Sequence, residues 1–542
     1  MDASTAQTLP TAIERGGFSF ALPYASRRVP VLGRQAAAAS HALAAQAALA
    51  ELQRGGNAID AALTAAAVQV VVEPTMNGLG GDLFALVWDG ERLHGLNASG
   101  RAPVAWSLAR FAGRARMPEL GWDAVTVPGA VSGWAALWKR FGSRPFDELL
   151  APAVRYAADG FPVMPHVAAL WAQAPERYRG FAELERVFLP GGRAPAAGAW
   201  FRLPDLAATL TSLARTTGAS FYTGEVAAQI AGAAAAEGGA LSRRDLESHA
   251  AAWVEPLAVD FAGVRLHELP PNGQGLASLL ALAILSQLDA DRHGPDHPDT
   301  LHLQIEAMKA AFAECHLHVA DPARMRVTTE ELLAPERVAA HARRIQLGRA
   351  AAPRPLPPPD HGTIYVSVGD DQGRMVSLIQ SNYLGFGSGV VVPRTGIALQ
   401  NRGLGFSLDP ASPNVVAGGA LPYHTIMPGF VTCAGAPLMS FGVMGGHMQP
   451  QGHVQLMARV FQHAQNPQAA CDAPRWHVTE SSRIALEPAF ERDVARELQR
   501  RGHQLVEGAD ETLFGGAQAV YRLPDGYCAA SDPRKDGQAV AS

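Results

Sequence analysis

Thr363 has the residue type and setting best suited to chemistry. Directly after it, Ile364, Val366 and Val368 alternate with Tyr365 and Ser367, the period of a strand. Asp370-Asp371-Gln372-Gly373 is turn chemistry, and residues 374–382 read as a return strand. A hairpin folded about Asp371 and Gln372 sets Gln380 or Ser381 opposite Thr363. Before it, Pro353, Pro355, Pro357, Pro358 and Pro359 suit an extended surface connection leading to Asp360, His361 and Gly362. A chain cut between Gly362 and Thr363 would carry its new α-amino group beside the threonine hydroxyl, base next to nucleophile. A threonine heading a strand is also a common structural residue, so the local pattern does not decide.

Other candidate chemistries fit poorly. The loop Gly78-Leu79-Gly80-Gly81 lacks both GxGxxG and GxxxxGK[ST], so no nucleotide cofactor is expected. Glu314, His316 and His318 sit at i, i+2 and i+4 of a helical stretch, neighbours two apart share no face, and HExxH is missing. No metal is expected. The four cysteines are far apart without a CxxC, which argues against a disulfide framework or zinc site and fits a reducing cytoplasm. A net charge of -5 with scattered arginines gives no reason to expect nucleic acid or an anionic membrane as partner. The N-terminus shows no basic segment leading into an apolar one, so no secretory signal is read. The apolar stretch 58–72, with Asp60 inside it, is shorter than the roughly 20 residues of a membrane span. A cytoplasmic location is expected.

Stepping outward to the elements that must hold Thr363, the Ala/Leu-rich residues 36–54 read as one helix stopped by Gly55-Gly56. Asn57 can cap a second helix over residues 58–71, with Asp60 in its first turn. Strands are expected over 83–88 and 92–96, joined by Asp89-Gly90. Residues 122–215 are mainly helical. Strands near 254–257 and 264–269 precede Pro270-Pro271-Asn272-Gly273-Gln274-Gly275, and helices follow over 276–287 and 300–319. Strands are read at 397–400, 429–432 and 437–441, and helices at 451–464 and 495–501. Helix clusters at the ends with strands between them indicate helices layered on antiparallel sheets.

Together these segments resemble the gamma-glutamyltransferase family. The pieces run in the family's order from Gly55-Gly56-Asn57-Ala58-Ile59-Asp60-Ala61-Ala62 and Glu73-Pro74, through Gly78-Leu79-Gly80-Gly81, Arg101-Ala102-Pro103 and Val127-Pro128-Gly129-Ala130-Val131. They continue with Pro270–Gly275, Gly445-Gly446, Ala473-Pro474-Arg475 and Ala530-Ser531-Asp532-Pro533-Arg534. The resemblance implies an α+β fold, the four-layer αββα sandwich of N-terminal-nucleophile hydrolases, made as a proenzyme. It implies cleavage between Gly362 and Thr363, giving a large subunit of residues 1–362 and a small catalytic one of residues 363–542, together one fold. Thr363 would be nucleophile and base, with Ser381 contacting it and the N–H groups of Gly445 and Gly446 forming the oxyanion hole.

The sequence departs from glutamyl-using relatives at four positions. Alignment on Ala102-Pro103 puts Ser99 where they keep a carboxylate-binding arginine. Gly405 stands for their amine-binding aspartate, Tyr383 for an asparagine, and His424-Thr425 for a serine pair. Several stretches instead resemble the oxamate amidohydrolase branch, including Gln380-Ser381-Asn382-Tyr383, Asn401-Arg402-Gly403 and Met444-Gly445-Gly446. Arg101, Tyr383, Asn401, His424 and Thr425 are the candidate substrate contacts. The resemblance leaves open a glutathione-like gamma-glutamyl amide or an oxamate-like small anionic amide, with hydrolysis favoured over transfer because no acceptor site is legible. It implies no cofactor, and a homo-oligomer is allowed. The reading from another class is an uncleaved binding protein without catalysis.

Overall fold

The hairpin of Ile364–Gly369 and Met375–Ser381 lies at the middle of a sheet in the computed structural model, which describes residues 28–352, 362–479 and 481–542. The proline-rich reading at 353–359, with Asp360 and His361, lies outside the described residues. In spatial order the sheet runs Gln538–Ala541, Ala36–Ala39, Ile364–Gly369, Met375–Ser381, Asp82–Trp88, Leu93–Ala98 and Ala252–Val254, every neighbour antiparallel. A second antiparallel sheet of seven strands runs Val31–Gly33, Gly526–Ser531, Gly516–Leu523, Ala436–Met444, Gly429–Cys433, Val264–Glu268 and Leu257–Phe261.

The sheets face one another across a core that includes Phe84, Tyr365, Ile379, Phe430, Met444 and Val520. The alternate residues Ile364, Val366, Val368 and Leu378 point the other way, onto the helices Ala42–Gln53 and Ala58–Val72. Helices Gly275–Leu285, Pro298–His318 and Met448–Met457 cover the outer face of the second sheet. The result is the expected αββα sandwich. Because both faces of the central hairpin are buried, its strands carry apolar residues on both, and a one-residue slip would exchange the two cores.

Residues 36–54 are not one helix. Ala36–Ala39 is a strand, and the helix begins at Ala42. Alanine prefers helix by well under about 1 kcal/mol per residue over most alternatives, and here two ladders override it. Ala36–Ala39 is paired on one edge with Val366–Gly369 and on the other with Gln538–Ala541. All four alanines are fully buried, and small side chains let both layers close on the strand. The helix Ala58–Val72 has the predicted cap: Asn57 Oδ1 accepts from the N–H groups of Ile59 and Asp60, and Asp60 accepts from Asn57 N–H. The hairpin turn completes that terminus, since Asp370 Oδ2 accepts from Ala58 N–H at 3.0 Å. Strands from 28–352 thus flank the hairpin on both sides within one sheet. Among the described residues no helix is long and apolar enough to cross a membrane.

Candidate active site

Pairing of Ile364 with Gln380 sets Ser381 across from Thr363, the second of the two residues that the turn chemistry allowed. Both residues are buried, and both hydroxyls converge on one carbonyl. Thr363 Oγ1 donates to Gly362 O at 2.7 Å, and Ser381 Oγ donates to the same oxygen at 2.6 Å. Ser381 Oγ in turn accepts from Tyr383 N–H at 2.8 Å and from Arg402 Nη2 at 3.3 Å. With its lone pairs so engaged, the serine proton is aimed at Gly362 O and polarises it. The Thr363 hydroxyl lies next to Ser381 Oγ at 3.4 Å.

Arg402 is fully buried and organises three of the predicted residues. Nη1 donates to Thr425 Oγ1 at 2.8 Å, Nη2 reaches Ser381, and the guanidinium carbon lies 4.1 Å from the centre of the Tyr383 ring. This stacking, with a charge-assisted bond on each side, fixes the plane of the guanidinium. Asn401 serves the neighbouring loop: its Oδ1 accepts from Leu384 N–H at 3.1 Å and its Nδ2 donates to Glu119 O at 3.1 Å.

His424 Nδ1 accepts from Ile426 N–H at 3.3 Å, so the ring carries its proton on Nε2 and donates it to Asp82 Oδ2 at 3.0 Å. Burial, then the charge of Arg402, holds His424 well below the usual histidine range, which keeps it neutral. Asp82 Oδ1 accepts from Gly129 N–H, Gln400 Nε2 and Gly100 N–H at 3.0, 3.0 and 3.2 Å. Burial pushes its carboxyl up to about 7, against the opposing charge of Arg402 and these donors.

Gly445 and Gly446 follow the strand Ala436–Met444 with φ of 113° and 55°, a left-handed stretch that glycine adopts without cost. Among the described residues neither N–H has an acceptor. Gln274, buried in the Pro270–Gly275 segment, holds this loop. Its Nε2 donates to the carbonyls of Gly446 and Thr425, and its Oε1 accepts from His447 Nδ1 at 3.1 Å. Gly362 and Gly445 line a common cavity of about 230 Å³ whose walls include Met76, Leu170, Tyr178 and Phe386.

Arg101 lies apart from these residues. Its side chain is 57% exposed, with Nη1 donating to Asp321 Oδ2 at 3.2 Å and Gly419 O at 2.9 Å. Two of the departures also have a structural reason. A side chain at Gly405 would meet Tyr423 O at 2.4 Å, so no carboxylate fits there. Ser99 Oγ donates to Asn97 Oδ1 at 2.7 Å within a network that includes Asn272. Sequence reasoning missed Arg402, Asp82 and Gln274. Arg402 and Gln274 stand in segments quoted for other reasons, Asp82 falls between the glycine loop ending at Gly81 and the strand expected from residue 83, and no local pattern announces a buried arginine.

The glutamate of the Glu314, His316 and His318 group is taken by Arg337 and His341. A different buried cluster joins Lys309 Nζ to His503 Nδ1, His503 Nε2 to His302 Nδ1, and His302 Nε2 to Gln346 O, at 3.1, 2.8 and 3.0 Å. Every ring nitrogen in that chain has a partner.

The chain and its fold have known relatives. A family model described as Gamma-glutamyltranspeptidase matches residues 44–542. The chain is 38% identical over 520 residues to the oxamate amidohydrolase proenzyme of Klebsiella pneumoniae subsp. pneumoniae, covering 93% of this chain and 98% of that one. It is 33% identical over 517 residues to the glutathione hydrolase-like YwrD proenzyme of Bacillus subtilis, covering 94% and 98%. The crystal structure of cephalosporin acylase from Bacillus halodurans superposes with a TM-score of 0.93 at 45% identity, covering 97% of this chain and 99% of that one.

Proposed function

The chain belongs to the gamma-glutamyltranspeptidase family of N-terminal-nucleophile amidohydrolases, and from that premise we propose that it cuts itself between Gly362 and Thr363 and then hydrolyses a small anionic amide through a threonyl acyl-enzyme. The observation that supports this is the convergence of Thr363 Oγ1 and Ser381 Oγ on Gly362 O.

In the first step the Thr363 oxygen attacks the Gly362 carbonyl carbon. The Gly362–Thr363 amide breaks, its nitrogen takes the hydroxyl proton, and an ester to Oγ1 forms. Water cleaves the ester, leaving a Gly362 carboxylate and a free α-amino group on Thr363. That amine titrates near 7.7–8.0 before environmental shifts, close to the best value for a general base at neutral pH. In turnover it takes the Oγ1 proton as the oxygen attacks the substrate carbonyl, and passes it to the departing nitrogen. Water then releases the acid. The N–H groups of Gly445 and Gly446 stabilise the oxyanion at both stages, an effect worth about 2.7–4 kcal/mol per donor. The fragments 1–362 and 363–542 stay together because strands of both are hydrogen-bonded within each of the two large sheets.

Arg402 supports the choice of an anionic substrate. One hydroxyl, that of Ser381, separates its guanidinium from the reacting carbonyl. A carboxylate directly attached to that carbonyl, as in oxamate, would meet Arg402 and Thr425. The glutamyl amide reading lacks its arginine at Ser99 and its aspartate at Gly405, and hydrolysis is favoured over transfer.

A denaturing gel tests the reading. Cleavage gives bands of about 38 and 19 kDa, scaling the 57.1 kDa chain by length, and N-terminal sequencing of the smaller band should read Thr-Ile-Tyr-Val. Thr363→Ala should leave one uncut, inactive chain. A Thr363→Ala protein that still splits after Gly362 would overturn the assignment. A wild-type chain that never splits would favour the non-catalytic binding protein.

A further inference from the structure

The cavity over Gly362 and Gly445 has mixed walls, apolar on one part and polar on the rest, with the Lys535 amine among them. Lys535, only 8% exposed, lines it together with Leu170, Tyr178 and Phe386. The backbone explains how the lysine comes to be there. Asp536 accepts from the N–H groups of His166 and Val167 at 3.1 and 2.9 Å, tying the C-terminal segment to the start of the helix Pro165–Trp171. That anchor sets Lys535 Nζ 3.1 Å from His166 Nε2.

His166 is a neutral partner. Burial, then the lysine's own charge, lowers it to about 3, so its ring accepts from the ammonium without balancing it. Among the described residues no carboxylate lies within ion-pair reach of Lys535 Nζ. Glu73, Asp532 and Asp536 act on it only through space. Asp532 is engaged by Arg475 and Arg534, and Glu73 accepts from Ser40 Oγ and Gln69 Nε2. The other cation of the wall, Arg177, is closed on Glu119. Burial holds the Lys535 ammonium below its ordinary range. A buried charge without a paired counter-ion is costly, and such a group in a cleft is a candidate functional site.

We propose that Lys535 is a specificity-determining residue of the proposed reaction, binding a carboxylate that stands several atoms beyond the scissile carbonyl, with the carbon chain between them lying on Met76, Leu170, Tyr178 and Phe386. This rests on the amidohydrolase reading and adds a second anion position to it. Arg402 serves a carboxylate next to the reacting carbonyl, and Lys535 one at the end of a short apolar spacer.

The test uses anilides of the four- to six-carbon dicarboxylic acids, neutral acyl anilides of the same lengths, and oxamate. Wild-type protein should favour the anionic anilides over neutral ones of equal length. Lys535→Met should raise KM for the anionic anilides about 10- to 100-fold, the scale of one charge-assisted hydrogen bond. It should leave KM for the neutral anilides and for oxamate unchanged, and Lys535→Arg should restore part of the loss. An unchanged KM for the anionic anilides, or an equal loss on every substrate, would overturn the proposal. So would wild-type protein without a preference for the anionic series. Appearance of both gel bands in each variant separates this test from that of self-cleavage, because Lys535 takes no part in the bonds broken there. If Lys535→Met fails to fold, Lys535→Gln carries the same comparison.

Discussion

Asp82 and Asp532 are both fully buried, yet their carboxyls titrate far apart. Burial alone would raise Asp532, but the charges of Arg475 and Arg534 outweigh it and bring the group to about 2. Asp82 is surrounded by amide donors and a neutral imidazole. Arg402 acts on it through space without bonding to it, so burial prevails and the carboxyl rises to about 7. Two guanidiniums make a staple: Arg475 also donates to Phe514 O and Cys471 O, binding the Ala530–Arg534 segment to the helix Pro467–Asp472 and its neighbours. A carboxyl held by neutral donors beside Ser381 and Arg402 is left to titrate near neutral pH. The difference between the two sites is therefore in their partners, since depth is the same.

The comparison breaks most visibly if the staple loses its arginine. Arg475→Met removes the main counter-charge of Asp532 and leaves a carboxylate in the interior with Arg534 alone. Removing one member of a buried pair costs about 3–5 kcal/mol, and Arg534 should keep the loss near the lower end. Denaturant melts at pH 7 should show it. Because Asp532 would regain a higher pKa, the deficit should shrink as pH falls toward 4. A deficit that is the same at pH 5 and pH 8 would place the arginine's worth in its packing.

Much of this arrangement could be read from the chain, and what could not has a physical reason. The hairpin follows from period-2 alternation and one turn, both local, which leave Gln380 or Ser381 opposite Thr363; the ladder selects Ser381. The cap at Asn57 is equally local. Ala36–Ala39 was beyond that reasoning because its strand state is imposed by two distant neighbours, one of them near the C-terminus. Asp82, Gln274, Arg402 and His424 come together from four separate segments, and nothing in sequence spacing records such a meeting. His424 was expected to bind an anion, and its Nε2 hydrogen bond goes to Asp82. Arg101 is the arginine next to an Ala-Pro step, whereas the arginine beside Ser381 is Arg402.

Asp82→Asn should cost less than the loss of Arg475, about 1–3 kcal/mol, the range for an imperfectly satisfied buried group. Asparagine can keep one acceptor for the Gly100 and Gly129 N–H groups. Its other atom would then be an NH₂ facing His424 Nε2–H, or the ring would turn its proton to Nδ1 and oppose Ile426 N–H. The pH profile sharpens the contrast. A carboxyl raised from its ordinary value near 3.9 to about 7 contributes most below pH 4, and that contribution is lost as pH rises toward 7. Asp532, depressed to about 2, contributes above pH 4, and its share is lost as pH falls from 4 toward 2. Melts of wild-type protein against Asp82→Asn between pH 4 and 7 should show a flatter profile in the variant. Parallel profiles would mean that Asp82 is already ionised at pH 4.

The smallest effect is expected at the exposed end of the same series. Arg101 pairs with Asp321 at the surface, where the ion pair is solvated and screened, and such pairs contribute about 0–1 kcal/mol. Arg101→Ala should therefore leave the melting midpoint almost unchanged. If Arg402 rather than Arg101 meets the substrate carboxylate, KM for oxamate should also stay within about twofold, since a lost charge-assisted contact would raise it about tenfold or more. A large rise in KM with an unchanged melt would show that Arg101 leaves Asp321 to reach the substrate. It would give Arg101 the substrate contact for which the sequence makes it a candidate.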